Sequence, residues 1–133
     1  MQKPVESLNR KLKVQFAESW QGFGRAIELK KLNFSKEYGR KIEEGLKKQT
    51  IRLSTSLKEG DRVKVIVGGK ILGVARITKI ERKIIEELTE EDAKNDGFES
   101  LAQLIKALKK HYGKINGKNE ICIIGFEMEK KAT

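Results

Sequence analysis

The chain has 133 residues and carries 29 Lys/Arg against 19 Asp/Glu, a formal net charge of +10. That length supports one domain with a real core, and no stretch approaches the ~20 apolar residues that a bilayer-spanning helix needs. One cysteine, Cys122, excludes an intrachain disulfide, and with one histidine, His111, the inventory assembles neither a convincing zinc cluster nor a Ser-His-Asp triad with a neighbouring cysteine set.

Charged residues make up 36% of the chain, against about 25% in ordinary soluble domains. A basic excess in a small protein points to a polyanionic partner, most simply nucleic acid or a nucleotide, or to a lysine-rich solvated surface. The N-terminus has no apolar core of a secretory signal, so the expected compartment is the cytoplasm. Charge is also segregated. Residues 30–52 hold eight Lys/Arg and three Glu, a net of +5, and residues 81–99 hold three Lys/Arg and eight Asp/Glu, a net of −5. Such a division predicts a folded domain with a basic face and an acidic segment, not a uniformly basic tail.

Taken in chain order, residues 1–24 form an N-terminal extension. Val5, Leu8, Leu12, Phe16, Trp20 and Phe23 recur every three or four residues, as on an amphipathic helix. A partly ordered tail is the competing reading. A single domain is expected over 25–133. Residues 25–34 predict a short strand, and Ser35 a helix N-cap. Tyr38, Ile42 and Leu46 then mark one helical face, weakened by Gly39 and closed by Gly45. "QTIRL" alternates, with Ile51 and Leu53 on one side and Thr50 and Arg52 on the other, as in a half-buried strand.

"RVKVIV" and "KILGVARITKI" flank Gly68-Gly69 and predict a hairpin. Thr89 caps a short helix over "TEEDAKN" that ends at Gly97. Ser100 and Gln103 have capping-box spacing ahead of the Leu101, Leu104, Ile105, Leu108, Tyr112 stripe, which Gly113 stops. "EICIIGFEM" is a last strand, and its apolar setting makes Cys122 a buried structural thiol. Several strands are apolar on both faces. The expected class is therefore α+β: a small mixed, mostly antiparallel β-barrel with flanking helices.

The densest chemistry lies in "GLKKQTIR", residues 45–52. Gly45 permits close backbone approach. Lys47 and Lys48 occupy a turn, and Thr50 and Arg52 share a strand face. A guanidinium can grip phosphate through two bonds. A threonine hydroxyl both donates and accepts, and a lysine of lowered pKa serves as base or nucleophile. Arg76, inside an apolar strand, is a further candidate for the cleft or for the surface. The acidic run lacks the ligand spacing of a calcium loop and is expected to be a solvated face. His111 is expected at the surface, at the C-terminal end of its helix.

These residues resemble the ASCH domain of the PUA-like superfamily. The likeness rests on a G-x-K-x-x-[E/T]-x-R signature, met by Gly45, Lys47, Thr50 and Arg52. The "LKEGDRVKVIV", "GVARITKI" and "ELTEEDAKNDGFESLAQLIKALKKHYG" segments follow it, and the likeness runs from about residue 26 to 129. It implies a PUA-like barrel with a cleft beside the signature loop, binding RNA or a nucleoside through Lys47, Lys48, Thr50, Arg52 and Arg76, with no metal or other cofactor. It also implies an alternative, because small bacterial members resemble stand-alone enzymes that hydrolyse the amide of N-acylated cytidine, and ribonuclease activity has been proposed for an ASCH protein. In the amidohydrolases the catalytic set is a Lys, a Thr and a Glu. Lys47 and Thr50 match the first two, and Asp96 stands at the position of the third with a side chain one methylene shorter. The sequence by itself favours binding, since it displays a basic surface but not the whole catalytic set.

Overall fold

A computed structural model of the chain describes residues 29–129, so the helix or tail expected over 1–24, Trp20 included, lies outside the described residues. Five strands, β1 (Lys30–Phe34), β2 (Gln49–Arg52), β3 (Arg62–Val67), β4 (Lys70–Ile84) and β5 (Glu120–Met128), form one sheet in the order β1-β3-β4-β5-β2. Only the β1–β3 pair in this order is parallel. The sheet curls into a half-barrel whose edge strands are β1 and β2. Two register shifts, between Val65 and Ile66 and between Ile77 and Lys79, break the ladders. Such bulges add the local bend and twist that curling requires.

The hairpin joining β3 and β4 turns on Gly68 and Gly69 at φ 59° and 86°, the positive pair that a two-residue hairpin turn favours and that glycine supplies without strain.

Strand β5 explains the two apolar faces seen in the sequence. Ile124 and Phe126 point into a barrel core with Leu32, Phe34, Val63, Val65, Ala75 and Ile77, whereas Ile121 and Ile123 point into a second core. Three short helices complete the domain: α1 (Gly39–Glu43), α2 (Glu90–Asn95) and α3 (Leu101–Tyr112). The apolar stripe of α3 covers the second core, with Leu104 and Leu108 buried beside Ile85, Leu88 and Ala93. Each such leucine contributes roughly 1.5–3 kcal/mol by leaving water. Cys122 is buried, as its run implied.

Caps fix where these helices start. Thr89 Oγ1 accepts from Asp92 N at 3.1 Å, and Asp92 Oδ2 accepts from Thr89 N at 3.0 Å. Ser100 Oγ accepts from Gln103 N at 3.2 Å, but the Gln103 side chain reaches Glu99 N and not Ser100. Each satisfied N-terminal donor stabilises its helix by about 1 kcal/mol.

Three local expectations change. The helix expected around Tyr38, Ile42 and Leu46 is a 3-10 turn (Lys36–Tyr38) running into the single turn of α1, and the Ser35 hydroxyl makes no cap bond. Gly45, at φ 79°, reverses the chain one residue before Leu46, which is left 55% exposed. Strand β2 is not half-buried. Gln49, Thr50 and Ile51 are all buried because this edge strand runs between the two cores, and Leu53 beyond it is exposed. Lastly, the acidic run is not wholly a solvated face, since Asp92 and Asp96 are buried. Among the described residues no helix is long and apolar enough to cross a membrane.

Candidate functional site

The signature segment and the end of α2 are joined by backbone before any side chain is considered. After Gly45, Leu46 N and Lys47 N both donate to Lys41 O, at 2.9 and 3.0 Å. Lys47 then forms an isolated antiparallel bridge with Asp96, and Lys48 N donates to Asn95 O at 2.8 Å. Gln49 Nε2 adds a bond to Asp92 O at 3.2 Å, and Lys41 Nζ one to Gly97 O at 2.7 Å.

Gly97 makes this approach possible. It sits at φ 89°, and a Cβ there would lie 3.2 Å from Lys47 Cβ and 3.3 Å from Lys41 Cδ. A side chain at 97 would be strained by both its backbone and its neighbours. Gly97→Ala is therefore expected to lower stability by about 1–2 kcal/mol, the usual cost of a left-handed L-residue, and to loosen the bridge. Chemical denaturation measures the first effect, and faster amide exchange at Lys48 reports the second; unchanged values in both would remove this role from Gly97.

The close bridge lets a short side chain reach its target. Lys47 Nζ donates to the Asp96 carboxylate and, at 3.2 Å, to Asp96 O. Both side chains are almost wholly buried, 4% and 3% exposed. The Lys47 ammonium lies over the rings of Tyr38, Phe34 and Phe98, 4.8, 5.7 and 5.8 Å from their centroids, where the π faces favour a cation. Burial nevertheless pulls the Lys47 pKa below its usual value, against the opposing pull of Asp96. Burial likewise pushes Asp96 up to about 6, with Lys47 and Arg52 holding it down. The two groups are thus brought towards the pH range in which a proton can be exchanged between them.

This pair belongs to a cleft of about 260 Å³ that Thr50, Arg52, Phe98, His111 and Tyr112 also line. Arg52 stacks on Phe34, its Cζ 5.1 Å from the ring centroid, and donates to Asn33 O at 2.6 Å. It thereby links edge strand β2 to edge strand β1. Tyr38 Oη and His111 Nε2 lie 3.0 Å apart, and Tyr112 Oη donates to Ile51 O at 3.3 Å. Burial raises the pKa of both tyrosines, so they remain neutral hydroxyls at physiological pH.

Of the candidates named from the sequence, Lys47, Thr50, Arg52 and Asp96 line one cleft; Lys48 and Arg76 do not. Lys48 is exposed, on the opposite side of the chain from Lys47. Arg76 alternates with Ala75 and Ile77, which face the core, and so points to solvent. Conversely, Phe34, Tyr38, Phe98, His111 and Tyr112 enter the cleft without having been singled out for it. Their only sequence signal was proximity, Tyr38 ahead of the signature and Phe98 two residues after Asp96.

No family model matches the chain, and no curated protein matches its sequence. Solved structures do match. The ASCH domain from Lactobacillus crispatus JV V101 superposes with a TM-score of 0.66 at 15% identity, covering 89% of this chain and 92% of that one. A protein of Enterococcus faecalis V583 from the family DUF984 gives 0.64 at 17% identity, with the same coverages of 89% and 92%. The ASCH protein of Zymomonas mobilis gives 0.55 at 13% identity, covering 71% of this chain and 65% of that one. The chain has the fold of these ASCH-domain proteins.

Proposed function

We propose that the cleft takes up a modified nucleoside and hydrolyses its N-acyl amide, with N-acylated cytidine as the leading substrate. The observation that carries this reading is the contact between Lys47 and Asp96, both buried, in the cleft that Thr50 lines. A purely binding site has no need to bury a cation and an anion together, whereas acid–base chemistry needs two groups whose environments move their pKa values towards neutrality. The cleft volume falls just under the usual range for small-molecule sites, about 300–1,000 Å³, and suits a single nucleoside better than a folded RNA.

In this scheme Lys47, neutral at the moment of attack, takes a proton from water as the oxygen adds to the amide carbon. Thr50 donates a hydrogen bond to the carbonyl oxygen. The proton passes through Asp96 to the departing nitrogen, the C–N bond breaks, and a carboxylic acid and an amine leave. Tyr38, Phe34 and Phe98 hold the lysine and offer faces on which a base can stack.

N-acetylcytidine incubated with the protein is expected to yield cytidine and acetate, and absence of turnover would sink this reading. The pH dependence gives a second check. Asp96 must be ionised to accept the proton, and its pKa is near 6, so kcat/KM is expected to fall as pH drops through about 6. A profile that stays flat from about pH 5 to 8 would remove Asp96 from the proton path.

RNA binding without chemistry is favoured by a different observation. Lys106, Lys109 and Lys110 are exposed on α3, the helix that lines the cleft through Ala107 and His111. That reading requires RNA affinity that weakens steeply with added salt, as counterion release dictates.

A further inference from the structure

A second cavity, of about 540 Å³, opens along the same seam between β1 and β2. It shares two wall residues, Asn33 and Arg52, with the inner cleft. Arg52, which donates to Asn33 O, therefore stands at the boundary between the two spaces. The outer cavity is lined by Lys30, Lys31 and Arg52 and by the hydroxyl residues Ser54, Thr55 and Ser56, and among the described residues no carboxylate lines it. A concave wall of one charge sign concentrates the field and draws in an anion.

We infer that this outer cavity is a phosphate subsite, and that the ligand bridging the two spaces is a nucleoside 5′-phosphate. This rests on reading the inner cleft as a nucleoside site. Arg52 stands at the junction, where its remaining N–H groups can meet a phosphate oxygen, the geometry for which a guanidinium is suited. Thr55 Oγ1 accepts from Leu57 N at 3.0 Å. With that lone pair engaged, its O–H proton is available as a donor. Lys30 is partly engaged, at 3.3 Å from Ser56 O and 3.4 Å from Asp61 Oδ2. Lys31 is exposed on β1 and supplies the more accessible charge. The inner cleft has its own cation, Lys47, bound to Asp96, so an incoming phosphate finds less uncompensated positive charge there than outside.

Calorimetric titration of the full chain with cytidine, cytidine 5′-monophosphate and inorganic phosphate tests the assignment by binding, independently of turnover. The monophosphate is expected to bind at least about tenfold more tightly than cytidine at low salt. Lys31→Glu should bring the two ligands to parity while leaving cytidine unchanged. Lys70→Glu, with the same change of charge at an exposed position outside both cavities, should leave the ratio intact. Inorganic phosphate should weaken binding of the monophosphate but not of cytidine. Equal affinities, no binding of either ligand, an equal loss in Lys70→Glu, or phosphate competition against cytidine would each overturn the subsite. If the protein discriminates between the two ligands but leaves N-acetylcytidine intact, the subsite stands and the hydrolase reading falls. If it turns over N-acetylcytidine but binds the two ligands equally, the hydrolase reading stands and the subsite falls.

Discussion

Lys47→Met is expected to lower turnover of N-acetylcytidine by about 10²–10⁴-fold, the range for a positioned acid–base group. Methionine keeps the length and apolar contacts of the side chain, so the rings of Tyr38, Phe34 and Phe98 retain a neighbour. Only the nitrogen and its proton are lost. Because Lys47 acts in the transition state in this scheme, kcat should fall much more than KM rises. Asp96→Asn tests the other half of the relay. It keeps a side chain able to accept a hydrogen bond from Lys47 but removes a proton carrier that ionises near pH 6. Turnover in Asp96→Asn should fall as well, and the acid limb of the pH profile should vanish with it. If Lys47→Met retains wild-type kcat, Lys47 is not the base and the proposed relay through Asp96 falls.

The sequence displayed the pieces of this arrangement more clearly than their meeting. Caps at Thr89 and Ser100, the Gly68-Gly69 hairpin and the α3 stripe were legible because each is a local pattern of a few residues. The two-faced burial of β5 was legible as a continuous apolar run. What could not be read was distance between remote segments. Whether the shorter Asp96 could reach Lys47 depends on the bridge between residues 49 positions apart, and that bridge depends on the missing Cβ of Gly97. In sequence Gly97 is simply a helix stop. Likewise, Tyr38 and His111 are 73 positions apart and meet only because α3 packs beside the 3-10 turn. Arg76 stayed open in sequence for the opposite reason, since an arginine in an apolar strand has two possible faces and the pairing of β4 with β3 and β5 selects the outer one.

The buried pair also carries a prediction about stability, and its sign follows from the two pKa shifts. Asp96 rises from 3.8 in the unfolded chain to about 6 in the fold. Folding therefore favours its protonated form. Its stabilising contribution is complete below about pH 3.8 and is lost as pH rises through about 6, which at one pKa unit per 1.36 kcal/mol amounts to ~3 kcal/mol. Lys47 is shifted down by burial, so folding favours its neutral form relative to the unfolded chain. The two shifts predict that the pair is a net burden on the fold at pH 7, despite the direct contact. Two outcomes follow. Lys47→Met alone strands a carboxylate that is 3% exposed. It should destabilise the protein at pH 7 by about 3–5 kcal/mol, and part of that loss should return on acidification as Asp96 takes up a proton. Lys47→Met combined with Asp96→Leu removes both charges from beneath the rings of Tyr38, Phe34 and Phe98. This double variant should match or exceed the wild type by about 1–4 kcal/mol while having no activity. Urea unfolding of the three proteins at pH 7 and at about pH 5 decides it. A double variant less stable than the wild type at pH 7 would mean that the ion pair holds the fold together, and its burial would then no longer argue for chemistry.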